Sequence, residues 1–130
     1  MSTHTDARDM NLLELHVELI STYLAVYLPE TVGEQREAVD HMVKLKRRVE
    51  SAEQALRQDD PDELATVYLV HIDQLGEVIA QRKRAGAFDT REIDLLKKLE
   101  THHEEYVSRL TALVRAKQRR EAGHLLLVSR

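Results

Sequence analysis

An all-α fold, an antiparallel up-down-up-down four-helix bundle, is predicted for this 130-residue chain by three features of its sequence. Apolar residues recur at alternating three- and four-residue steps through most of its length, the period of a helix with one buried face. Helix-start and helix-stop residues fall at well separated places with short turns between them, and short turns force successive helices to run antiparallel. The composition agrees: 32% charged and only 4% aromatic residues suit helices with Leu, Val and Ala on one side and Glu, Lys and Arg on the other, whereas sheets use more aromatic and β-branched residues. At this length one domain is expected, 1–130, able to bury a core without staples.

The first helix is expected over about 6–28, ending where Pro29 interrupts the apolar run at Leu28. Thr31-Val32-Gly33-Glu34 reads as a capping box that opens a second helix over 31–58, with Ala38, Met42, Leu45, Val49, Ala52 and Leu56 on one stripe. Asp60-Pro61-Asp62-Glu63 places a capping Asp before a proline at the first helical position and starts a third helix over 60–85. Its stripe is Leu64, Tyr68, His71, Leu75 and Val78, and Gly86 stops it, with Arg82, Lys83 and Arg84 set against the negative end of the dipole. In Phe88-Asp89-Thr90-Arg91-Glu92-Ile93, Asp89 caps, Glu92 completes a box and Phe88 staples onto Ile93, opening a fourth helix over 89–121. Leu96, Leu99, His103, Tyr106, Leu110 and Leu113 form its stripe. Gly123 reads as a stop before a short apolar tail, 124–128, for which packing back on the bundle, pairing with a partner and a further helical turn are all open.

The first helix carries more apolar surface than one bundle face can hide. Its apolar residues run nearly around the circumference between Leu12 and Leu28, leaving a thin stripe of Glu14, Glu18 and Ser21. Apolar surface of that extent calls for a further cover. A self-association surface is therefore expected over Leu12, Leu15, Leu19, Tyr23, Leu24 and Tyr27, with Leu69 from the third helix, most simply in a two-fold homodimer. A helix that is central within its own chain is the alternative.

Several classes are excluded or disfavoured. Zero cysteines rule out disulfides, Cys-rich zinc sites and thiol catalysis. A net charge of −4 argues against general nucleic-acid binding, which rests on neutralising phosphates. The apolar run is broken by Glu14, His16 and Glu18 and has no cationic leader, so neither a membrane span nor a signal peptide is expected, and the cytoplasm is the expected location. No Gly-rich phosphate loop or Ser/His pairing is present, and an enzyme is not expected.

The seven histidines are the feature with chemical character. His16, His71 and His103 fall on core stripes and His41 at the edge of one, with Tyr68 and Tyr106 placed to form a tyrosine layer beneath a histidine layer. One reading is a metal or haem site built from His16, His71, Glu100 and His103, since Glu100-Thr101-His102-His103 supplies a Glu-x-x-His spacing. A di-iron carboxylate centre needs that motif twice. A haemerythrin-like centre needs metal ligands where Leu45 and Leu75 stand. The other readings are neutral core histidines bonded to tyrosines and to each other, and a pH-sensitive packing layer.

His41-Met42-Val43-Lys44 resembles the His-x-Leu-Lys-Gly signature of histidine phosphotransfer domains, which are also four-helix bundles of this size. That resemblance implies phosphorylation at an exposed His41, but Leu45 stands where the signature has the glycine that makes room for the phosphoryl group. The leading expectation is a non-enzymatic interaction or regulatory module acting through helix packing, with itself or a helical protein as partner. The metal- or haem-binding bundle and the phosphotransfer-like domain are its alternatives.

Overall fold

The computed structural model describes residues 10–86 and 88–128, leaving aside the side chains of 125–128. Four helices follow one another: α1 (Leu12–Tyr27), α2 (Val32–Asp59), α3 (Pro61–Ala85) and α4 (Thr90–Val128), with no strand among the described residues. The all-α bundle is thus the architecture.

Local chemistry explains each boundary. α1 begins at Leu12, later than the expected start near residue 6, because Asn11 closes a reciprocal capping box. The Glu14 N–H donates to Asn11 Oδ1 at 2.9 Å and the Asn11 N–H donates to Glu14 Oε1 at 3.4 Å. Residues 6–9 of the expected helix lie outside the described residues. At α2 the Thr31 hydroxyl accepts the Glu34 N–H at 3.1 Å. Asp60 serves two helices: its N–H closes α2 onto the Leu56 carbonyl at 2.7 Å, and its carboxylate accepts the Glu63 N–H at 3.1 Å to open α3 at Pro61. Gly86, at φ 71°, ends α3 in the left-handed conformation that favours glycine.

At α4 the cap forms and the box does not. Asp89 Oδ1 accepts the Glu92 N–H at 2.9 Å, but the Glu92 carboxylate turns to Arg82 and takes its guanidinium in a fork at 2.6 and 2.8 Å. That tie joins the end of α3 to the start of α4, and Phe88 and Ile93 both stay exposed instead of stapling. α4 also runs through Gly123 to Val128, so the tail beyond the expected stop is helical. One glycine inside a helix costs about 1 kcal/mol relative to alanine and does not end it unaided.

The chief pairings are α1 with α2 and α3 with α4, and both α1 and α3 also touch the remaining helices, while α2 and α4 approach each other least. α1 and α3 thus lie on the short diagonal of the bundle and α2 and α4 on the long one. This arrangement answers for most of the surplus apolar surface of α1. Of the seven residues expected at an interface, Leu12, Leu15, Leu19 and Tyr23 are buried in the chain's own core, covered by α2, α3 and α4. Leu24 and Tyr27 are partly buried against that core, and Leu69 is 60% exposed. Among the described residues no helix is long and apolar enough to cross a membrane.

Candidate functional site

The middle of the bundle is polar. His16 of α1, Glu53 of α2, His71 of α3 and His102 of α4 are all buried there, one from each helix, and Tyr68 and Tyr106 are buried beside them. The rhombic arrangement dictates their roles. Across the short diagonal the His16 and His71 rings meet face to face, 4.0 Å apart and 15° from parallel. From the long diagonal the longer side chains reach inward: Glu53 from α2, and His102, Tyr106 and Arg109 from α4.

Glu53 is the hub. Its Oε1 accepts the Tyr106 hydroxyl at 2.8 Å and faces His16 Nε2 at 3.3 Å, and its Oε2 accepts the Tyr68 hydroxyl at 3.0 Å and the Arg109 guanidinium at 3.1 Å. Burial alone works to raise the Glu53 pKa. The hydrogen bonds from His16 and Tyr106, the Arg109 charge and the Tyr68 hydroxyl outweigh it and hold the carboxyl below its ordinary value. Burial, followed by the Glu53 charge, pushes the Tyr68 hydroxyl up to about 12 and drives Tyr106 upward in the same way.

The proton positions follow from these partners. His16 Nε2 faces an ionised carboxylate and therefore donates, while its Nδ1 is buried without a hydrogen-bond partner among the described residues. His71 Nε2 and His102 Nε2 lie 2.9 Å apart, so one donates to the other. His71 Nδ1 is also buried without a partner, and an orphaned N–H is costlier than an orphaned lone pair; His71 Nε2–H is accordingly the donor. His102 then carries its second proton on Nδ1, directed at the Tyr23 hydroxyl 3.5 Å away. Burial first, then the neighbouring His16, holds His71 down to about 2 and His102 to about 3, with Arg109 acting on both in the same direction, so both imidazoles are uncharged at neutral pH. With protonated tyrosines and uncharged His71 and His102, the layer is held together by hydrogen bonds around the single ionised carboxylate of Glu53. It joins four helices.

Of the four residues proposed for a metal or haem, the structure brings together His16 and His71 only. Glu100 pairs at the surface with Lys83 at 2.9 Å, and the half-buried His103 rides beside Gly76 of α3. Among the described residues no group of three or more His, Asp or Glu is arranged to hold a metal ion. His41, about 43% exposed, is engaged through Nε2 by Glu18 Oε1 at 3.0 Å.

Three residues of the layer escaped the sequence reading: Glu53, His102 and Arg109. Glu53 lies four residues after Val49 and was a visible alternative to Ala52 on the α2 stripe. On α4 the buried line runs Leu95, Leu99, His102 and Tyr106, with half-buried Arg109 and Leu113 continuing it. It has the same three- and four-residue steps as the predicted line and shares Leu99, Tyr106 and Leu113 with it. The expected tyrosine layer is present: the Tyr68 and Tyr106 rings meet edge to face at 5.3 Å, beside His16 and His71.

Fold and site together define a four-helix bundle crossed by one hydrogen-bonded His–Tyr–Glu layer. The chain matches no family model, no curated protein and no solved structure.

Proposed function

We propose that this chain is a non-enzymatic interaction module that works through helix packing, in the cytoplasm, with a second copy of itself or a helical protein as partner. The observation that supports this reading is the layer to which every helix contributes one buried polar side chain. Burying a charge such as Glu53 gains little stability over an apolar core, and the best-attested return is a defined register between helices. A shift of any one helix breaks its bonds to the others, so any other packing would be a discrete alternative and not one end of a continuum, as a module that signals by repacking requires. The apolar residues that α1 and α3 leave exposed, Val17 at 49% and Leu69 at 60%, are the ones offered to a partner. Sedimentation equilibrium tests it: the wild-type chain is expected to self-associate in the micromolar range, and Val17→Glu with Leu69→Glu to give a folded monomer. A wild-type chain that stays monomeric at the highest attainable concentration removes self-association from the reading.

A further inference from the structure

Where α2 and α4 stand apart they leave a cleft of about 190 Å³, beside the polar layer and lined also by Leu19 and Tyr23 of α1. Three cations line it: Lys46 of α2, and Lys98 and Arg109 of α4. Arg109 is taken by Glu53. Lys46 and Lys98 have no carboxylate partner among the described residues, and the Lys46 ammonium lies instead over the Tyr23 ring, 5.6 Å from its centroid. Two buried donors meet the same cleft. His102 Nδ1–H reaches the Tyr23 oxygen only at 3.5 Å, the outer limit of a hydrogen bond, and the Tyr23 hydroxyl proton has no acceptor among the described residues. At His102, Arg109, Lys46 and Lys98 add to burial and His16 in keeping the imidazole uncharged, whereas at Tyr23 the charge of Glu105 outweighs that of Arg109. Two cations that no carboxylate pairs among the described residues, one of them resting over the Tyr23 ring, and two weakly engaged donors around one cavity suit an anion.

We propose that this cleft binds a small organic monoanion through its carboxylate, held between Lys46 and Lys98 and hydrogen-bonded by His102 Nδ1–H and the Tyr23 hydroxyl. Leu19 and Val49 line the same cavity and suit an apolar body, which a bare inorganic ion lacks. Glu50 and Glu105 also line it and repel a second negative charge, so the site selects a monoanion over a di- or trianion.

Titration of the full-length chain with benzoate at neutral pH, followed by amide and side-chain NMR shifts, tests this. Saturable shifts are expected around Tyr23, Lys98 and His102, with a dissociation constant on the order of 1 mM for so small a probe. Lys98→Gln is expected to weaken binding about tenfold, as loss of a charge-assisted contact should. Lys117→Gln, which removes an ion pair to Asp62 at 3.1 Å away from the cleft, should leave it unchanged. The site is overturned by shifts that do not saturate, or by saturation to which Lys98→Gln is indifferent. Binding of phosphate or citrate as tight as that of benzoate overturns the monoanion selectivity. These readouts are independent of the oligomeric state, so their failure leaves the helix-packing reading standing.

Discussion

Replacing Glu53 with alanine is the sharpest perturbation of the buried layer. It strips the shared acceptor from the Tyr68 and Tyr106 hydroxyls and from His16 Nε2–H, all three buried, and from Arg109, whose side chain is 40% exposed and can turn to water. An orphaned buried donor costs about 1–3 kcal/mol. Three such donors set an upper range that water entering beside α2 and α4 reduces, because Glu53 and Arg109 also line an open surface groove. The net loss should therefore fall near the about 3–5 kcal/mol typical of removing one partner from a buried pair. Against a total stability of about 5–15 kcal/mol that is a large fraction. Urea unfolding followed by far-ultraviolet circular dichroism reads it directly: with a slope of about 2 kcal/mol per molar, the midpoint should fall by roughly 2 M. A double-mutant cycle with Tyr106→Phe should return a coupling of about 1–3 kcal/mol, because the hydroxyl has no role in the layer once its acceptor is gone. A loss below about 1 kcal/mol, or independent effects of the two changes, would refute the claim that Glu53 is the hub.

Acid should unfold the chain, and the sign follows from the imidazoles. His71 and His102 are held at about 2 and about 3 in the native state against an ordinary value of 6.5, so between these limits the unfolded chain binds two protons that the folded chain does not. Stability is then complete above the ordinary histidine value and falls as pH drops below it, by about 2.7 kcal/mol per pH unit for two protons. The lowered Glu53 pKa acts in the same direction, its contribution being lost as pH falls through its folded value. Denaturant midpoints measured across acid pH check the slope, which His102→Gln should reduce by one proton; an uptake of less than one proton in the wild type contradicts the neutral layer. Gly86→Ala forces a side chain into the left-handed region at φ 71° and should lower stability by about 1–2 kcal/mol, read as a drop in thermal midpoint with the helix content unchanged.

The helix ends were legible wherever a side chain caps its own neighbours. Asp60-Pro61, Gly86 and Asp89 act within a few residues of themselves, and the structure uses each as its local chemistry directs. The start of α1 is equally local, since Asn11 and Glu14 cap each other across three residues. The layer was legible in part. Tyr68 and His71 lie on an α3 stripe that admits one reading, whereas on α4 two lines one residue apart satisfy the same period and share Tyr106. One line buries His103 and Leu110, the other His102 and Arg109. Helical period does not choose between them, since each side chain is rotated from the next by only about 100°. The partners chose: His102 finds His71 and Tyr23, and Arg109 finds Glu53.

The amino-acid order by itself determined the number of helices, most of their ends and the presence of polar rings on core stripes, because propensity, capping and period are interactions between residues at most one or two turns apart. Only the tertiary structure decided which face of α4 turns inward, that a charged Glu53 is buried, and that α1 is largely covered by its own chain. Those outcomes depend on groups distant in sequence: a carboxylate enters a core only where two tyrosines, an imidazole and a guanidinium converge to replace its water, and no segment of the chain carries that condition alone.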